Sequence, residues 1–364
     1  MKKISLLTLA IVFLGVSGQL FAQKPSDKDI EKSMLKAYKW QQKNPNHTLN
    51  HWTNGAYYIG ITKAYQSTEN KAYAKGLVAM ANELNWMPEK RWYHADDITI
   101  CQSYIYMKED GVEGANLQPT VDVLNRVMTE EYDWNDDIKP IYWWWCDALF
   151  MAPPVFVHYG VLSGEDKYLE ANDRLYKECY DLLFDKEEDL FARDMKYQWK
   201  GDKDYLKETN GNKIFWSRGN GWVIGGLALL LQQMPEDYKN RGFYEDLFKT
   251  MAAKLKSIQP EDGMWRSSLL DPDSYPHGEV SGTGFNTYAF LWGINNGLLD
   301  KDEYLQPALK AFNGLMACQQ NGGKMGWVQP IGADPKRNFS AESWEVYGTG
   351  AYLLAGSEML KLDD

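Results

Sequence analysis

The chain has 364 residues, a net charge of −11 and 14% aromatic residues, with 15 Trp and 23 Tyr. Such acidity excludes electrostatic attraction to nucleic acid or to an anionic membrane surface. The aromatic excess suits a protein that stacks rings on flat apolar ligand faces, those of sugars included.

Residues 1–22, MKKISLLTLAIVFLGVSGQLFA, read as a cleaved signal peptide. Lys2 and Lys3 precede an apolar run from Ile4 to Val16, short for a membrane span, and small residues lead to Ala22. Export follows, and a leader of bacterial type implies the periplasm, with no membrane attachment after cleavage. Residues 23–364 are expected to form one domain.

From Asp27 onward the apolar spacing is helical. Twelve helices are predicted, near 27–42, 53–67, 70–84, 95–109, 118–130, 146–159, 165–183, 219–233, 239–257, 283–296, 301–319 and 342–360. They pair as hairpins in which one member is rich in Gly and aromatics and the other is amphipathic. GNGWVIGGLALLL, for example, precedes the amphipathic 239–257. A helix apolar all round is buried, and an amphipathic one keeps a wet face. Six of each in alternation predict an all-α fold, a closed (α/α)6 double-ring barrel. The links 185–217 and 258–282 are long and are expected to cover a site. Cys101, Cys146, Cys179 and Cys318 form no CxxC pair, and Cys179 and Cys318 are expected as buried free thiols. The five His are scattered, and no metal or cofactor is implied.

The starts of the inner helices should converge at one mouth. At 50–61, NHWTNGAYYIGI offers Trp52 for sugar stacking, with Tyr57 and Tyr58 better read as packing. At 91–106, His94, Asp96 and Asp97 stand at a helix start, where one acid is explained by capping and two leave room for function. In IYWWWCDALFMAPP, 141–154, Asp147 follows three Trp. It is either an N-cap or an acid tuned by desolvation, and the residues alone leave these readings even. In IFWSRGNGWVIGG, 214–226, Arg218 lies between Trp216 and Trp222 and could clasp a carboxylate. At 281–284, Ser-Gly-Thr-Gly, with Thr283, offers a helix N-terminus for an anion. At 337–354, Glu342 and Glu345 are expected as cap and first-turn acids, with Trp344 and Tyr347 at the mouth.

With W-x-x-G at 52–55, HADD at 94–97, W-x-D-x-L-F-M-A at 145–152, W-S-R-G-N-G-W at 216–222 and S-G-T-G at 281–284, nearly the whole mature chain resembles the unsaturated glycuronyl hydrolases of glycoside hydrolase families 105 and 88. It looks closest to family 105, the unsaturated rhamnogalacturonyl hydrolases. The resemblance implies an (α/α)6 barrel that hydrates the C4=C5 bond left on a terminal uronic acid by polysaccharide lyases. An acid protonates C4, water adds at C5, and the resulting hemiketal opens to release the aglycone. It implies Asp147 as proton donor and the HADD acid as second carboxylate, Asp97 being favoured over Asp96. Trp216, Arg218 and Trp222 match family positions that contact the sugar, and Trp52, Asp96, His94, Trp145, Thr283 and Trp344 are expected to bind it as well. The expected substrate is an unsaturated oligosaccharide from rhamnogalacturonan. The alternatives are glycosaminoglycan or ulvan fragments, an inverting glycosidase, or a carbohydrate-binding protein with degenerate chemistry. One departure stands out: family members often carry L-F-x-H where this chain has DLFARD, 189–194, with Arg193 and Asp194. That change is expected to alter substrate choice.

Overall fold

A computed structural model describes residues 22–198 and 206–363. The leader therefore lies, but for Ala22, outside the described residues. Fourteen α-helices are present among them, in the order α1 (Asp27–Lys43), α2 (Trp52–Thr68), α3 (Lys71–Glu83), α4 (Ala95–Ile98), α5 (Cys101–Glu109), α6 (Gln118–Thr129), α7 (Ala148–Met151), α8 (Pro153–Ser163), α9 (Asp166–Leu183), α10 (Ser217–Leu231), α11 (Arg241–Ser257), α12 (Val280–Asn295), α13 (Lys301–Ala317) and α14 (Val346–Met359). Each of the twelve expected helices is found, but two of them are broken. The segment expected at 95–109 splits into α4 and α5, and that at 146–159 into α7 and α8. The second break has a clear cause: Pro153 and Pro154 bring no N–H to a continuing helix, so they open a new one.

The inner ring is α2, α4–α5, α7–α8, α10, α12 and α14. Its members pack side by side, α2 on α5, α5 on α8, α7 and α8 on α10, α10 on α12, α12 on α14 and α14 back on α2. The ring is thus closed, as the alternation predicted, and the fold is an (α/α)6 barrel. Every residue of α10 and of α14 is buried. The outer helices bury one stripe each; in α9 it runs through Tyr168, Asn172, Leu175, Tyr176, Cys179 and Leu183. Local signals set their ends. Ser26, Asn70 and Asp300 accept backbone N–H bonds at the starts of α1, α3 and α13. Gly164, in the left-handed region at φ 69°, ends α8.

Glycine brings the inner backbones together. A Cβ on Gly60 of α2 would lie 2.5 Å from the carbonyl oxygen of Gly350 on α14, so no other residue fits there. All four cysteines are free; Cys101, Cys146 and Cys179 are buried and Cys318 only partly so. The long link after α9 opens with a short antiparallel pair, β1 (Phe184–Asp185) and β2 (Leu190–Phe191). It then runs against the start of α7: Cys146 N–H donates to the Arg193 carbonyl at 2.9 Å, and Trp145 bridges Asp194. The link between α13 and α14 folds back as a strap, with Trp327 N–H on the Ser340 carbonyl and Val328 N–H on that of Ser343. These two links decide what surrounds the mouth of the ring.

Candidate active site

At that mouth lies a cavity of about 160 Å³ lined by Trp52, Asp96, Trp145, Asp147, Met151, Arg193, Ile331 and Gly332. Larger surface depressions exist, such as one along Glu131–Tyr142, but its carboxylates are exposed or half-exposed. The mouth cavity is different because two acids face it, Asp147 buried and Asp96 largely so.

Asp147 sits at the N-cap position of α7 yet its side chain makes no capping hydrogen bond. The capping alternative is therefore set aside. Its carboxylate is 7% exposed and is approached by Cys146 Sγ at 3.6 Å and Arg193 Nε at 3.5 Å. Burial raises its pKa above the ordinary aspartate value, while the charges of Arg193 and Arg218 work the other way. Asp96 faces the same cavity from α4. Burial first, and then the charge of Asp147, push its pKa up to about 8. Its Oδ1 is buried with no hydrogen-bond partner among the described residues. Two acids so placed titrate as a pair, and the pair holds a proton at neutral pH.

Asp97, the favoured second acid, is not in the cavity. It is 1% exposed and faces the opposite way, accepting from Arg91 N at 2.8 Å, Arg91 Nε at 3.0 Å and Arg91 Nη2 at 2.5 Å. It ties the 89–94 loop to α4, so the HADD acid that meets Asp147 is Asp96. His94 caps α4, its Nδ1 accepting from Asp96 N at 3.3 Å, and packs on Trp145 at 4.5 Å between ring centroids. Burial and the Arg91, Arg193 and Lys139 charges lower its pKa to about 3, so it is neutral. It backs the cavity wall rather than forming it.

Arg218 also departs from expectation. It is fully buried, with Nη1 donating to the Gln329 carbonyl at 2.7 Å and Nη2 to that of Pro330 at 2.8 Å. Its guanidinium packs between Trp216, at 4.4 Å, and Tyr347, at 4.7 Å. It holds the strap whose next residues, Ile331 and Gly332, form the cavity rim. Trp216 is thereby buried as a support, and Trp222 is a core residue against Phe150 and Phe285. The Ser-Gly-Thr-Gly helix start is not open to a ligand. Glu279 fills it, accepting from Ser281 N at 3.0 Å, Ser281 Oγ at 2.7 Å, Gly282 N at 2.7 Å and Gln329 N at 3.0 Å. Thr283 is buried behind it, its hydroxyl donating to the Trp265 carbonyl at 3.4 Å. Trp344 packs edge-on against Trp40 of the outer helix α1, and Tyr347 is buried, stacked beneath Trp52 at 5.7 Å. Glu345 pairs with His47 instead of capping α14, and Glu342 pairs with Lys324.

Of the expected site residues, Trp52, Asp96, Trp145 and Asp147 meet at one cavity. Met151, which belongs to the W-x-D-x-L-F-M-A motif but not to the expected site residues, joins them, as do Ile331 and Gly332 without any signal in the sequence. Arg193, noted only as a departure from a pattern, is the one basic side chain lining the cavity among the described residues.

Comparison with known proteins identifies the family of the chain. Residues 26–363 match the family model described as Glycosyl Hydrolase Family 88. An unsaturated 3S-rhamnoglycuronyl hydrolase of Formosa agariphila is 49% identical, over 100% of this chain and 99% of its own. A second protein of that description, from an Alteromonas species, is 34% identical over 85% of this chain and 77% of its own. The solved structure of a glycosyl hydrolase family 88 protein from Bacteroides vulgatus superposes with a TM-score of 0.84 at 30% identity, covering 92% of this chain and 99% of that one.

Proposed function

Because the chain belongs to glycosyl hydrolase family 88, we propose that it releases the terminal 4,5-unsaturated uronic acid from lyase-generated oligosaccharides by hydrating the C4=C5 bond. The observation that carries this reading is the pair of acids, Asp147 buried and Asp96 largely so, facing one small aromatic-walled cavity. The reaction needs a proton for C4 and a base to activate the water that adds at C5. A pair that holds one proton at neutral pH supplies both. Asp147, by its place in the W-x-D-x-L-F-M-A motif, delivers the proton and then serves the water. Asp96 holds the sugar against it. Trp52, its ring braced on Tyr347, offers a flat face to the planar unsaturated ring, and Trp145 closes the other side.

The two relatives described above are named for rhamnoglycuronyl substrates. We carry that feature over and propose rhamnose as the sugar next to the cleaved bond. Export to the periplasm, inferred from residues 1–22, belongs to the same proposal.

The test follows the ultraviolet absorbance of the conjugated double bond in unsaturated disaccharides from rhamnogalacturonan, ulvan and glycosaminoglycan. Rhamnose-bearing fragments should be assayed with and without a sulfate on the rhamnose. Loss of absorbance on a rhamnose-bearing substrate is expected. Turnover confined to saturated substrates would make the protein an ordinary glycosidase and refute the proposal.

A further inference from the structure

The proposed substrate carries a carboxylate into a cavity that already holds two acids, in a chain of net charge −11. A buried anion in such a place requires a cation within hydrogen-bond reach. Arg218, the residue its motif offers, does not line the cavity, although its Nε, like that of Arg193, has no hydrogen-bond partner among the described residues. Both of its terminal nitrogens hold main-chain carbonyls of the strap, and aromatic rings flank its guanidinium.

We propose that Arg193 is the receptor for the carboxylate of the bound uronic acid. The inference rests on the substrate class proposed above and assigns the contact to a residue outside the matched motifs. Arg193 is anchored on three sides. Its carbonyl accepts from Cys146 N at 2.9 Å, its Nη1 donates to Asp194 Oδ2 at 2.7 Å, and its guanidinium lies 5.5 Å from the Trp144 ring. Asp194 is in turn fixed by Lys196 N at 2.8 Å. What this anchoring leaves over is the Nε edge of the fork. Nε is buried with no hydrogen-bond partner among the described residues, and its nearest acid, Asp147, stands 3.5 Å away without bonding to it. A held guanidinium with one open edge in a cavity is the arrangement that takes a carboxylate in two parallel bonds.

The contact has a second effect. A substrate carboxylate on the Nε edge draws the guanidinium's charge away from Asp147. The other charged groups that act on Asp147 are Asp96 and the buried Arg218. That favours the protonated form of Asp147, the acid that delivers its proton to C4.

The experiment compares kcat/KM for an unsaturated uronyl-rhamnose disaccharide as the free acid and as its methyl ester. It uses the full-length wild-type protein and the variants Arg193→Gln, Arg193→Lys and Arg218→Lys, each checked for folding by its melting curve. Comparing the acid-to-ester ratio between proteins cancels the intrinsic difference in reactivity of the two substrates. Arg193→Gln should lower kcat/KM on the free acid by about 10- to 100-fold, chiefly through KM, the range expected for losing hydrogen bonds to a charged group. Its rate on the ester should fall much less, so that the acid-to-ester ratio drops by about 10-fold or more. Arg193→Lys, which keeps the charge and loses the fork, should fall between. An equal loss on acid and ester in both Arg193 variants would overturn the inference, because Arg193 would then act only through Asp147 or the fold. So would a collapse of the acid-to-ester ratio in Arg218→Lys with the ratio intact in the Arg193 variants. Absence of wild-type turnover on either form would overturn the substrate class and this assignment with it.

Discussion

Asp96 and Asp97 are neighbours in sequence, and substituting each by Asn should give opposite results. Asp97 accepts four hydrogen bonds, from Arg91 N at 2.8 Å, Arg91 Nε at 3.0 and 3.3 Å and Arg91 Nη2 at 2.5 Å. An Asn there keeps one acceptor oxygen and turns its amide donors towards Arg91. Losing the charge-assisted bonds should cost about 2–4 kcal/mol, Arg91 itself being partly solvated. At about 2–3 °C per kcal/mol for a chain of this size, the melting temperature should fall by about 5–10 °C. Activity per folded molecule should stay within about threefold of wild type. Asp96 has no ion partner closer than the neutral His94, at 3.7 Å, and its burial disfavours its charge. Asp96→Asn should therefore leave the melting temperature at pH 7 unchanged or higher, while turnover falls by about 100-fold or more. Thermal melts and initial rates on the unsaturated disaccharide decide the matter. An inactive Asp97→Asn with unaltered melting, beside an active Asp96→Asn, would refute the assignment of the two acids.

Asp147→Asn should reduce turnover by about 10²- to 10⁴-fold in the absorbance assay, since it removes the proton donor. Its melting temperature should hold, because Arg193 keeps Asp194 as partner at 2.7 Å; turnover within tenfold of wild type would contradict the role. Stability should also depend on pH through Asp96. Its folded pKa, about 8, exceeds the unfolded value near 3.8, so the unfolded chain ionises first. Stability is therefore lost as pH rises from about 4 to about 8. The melting-temperature gain of Asp96→Asn over wild type should grow across that window and level off above it; a gain independent of pH would argue against the shift. Arg218→Met should destabilise by about 3 kcal/mol or more, leaving the Gln329 and Pro330 carbonyls without their donor. Denaturant titration measures this, and a variant as stable as wild type would remove Arg218 as anchor of the strap.

The helical plan was legible because inner and outer helices differ in composition. GNGWVIGGLALLL has no polar face to offer water, and 239–257 does. The double proline at 153–154 was a signal for one of the two helix breaks, yet the expected helix at 146–159 ran through it. Asp147 was found because an acid after three Trp has few bland explanations, and the absent capping bond removed the main one. Its partner was misassigned for a geometric reason. Adjacent residues on a helix point about 100° apart, and which one turns inward depends on how the helix is rotated against the ring. Arg91, six residues before Asp97, was the available clue that one of the two acids had a partner of its own. Arg218 and Thr283 were misplaced for a different reason. Their neighbours Gln329, Pro330 and Trp265 are remote in sequence, so local spacing carried no sign of them. Glu279, just ahead of Ser-Gly-Thr-Gly, could have been read as the carboxylate that fills that helix start.

The inner helices meet backbone to backbone, as at Gly60 and Gly350, where not even a methyl group can be added. The frame that carries the two acids therefore has little freedom to drift. The link bearing Arg193 and the strap bearing Ile331 and Gly332 lie outside that frame and are held by a few hydrogen bonds each. Inherited change in what such a barrel recognises thus has an easy route through its links and a closed one through its helices. A designer wishing to redirect this protein should exchange residues 186–198 and 329–340 together and leave the ring as it stands.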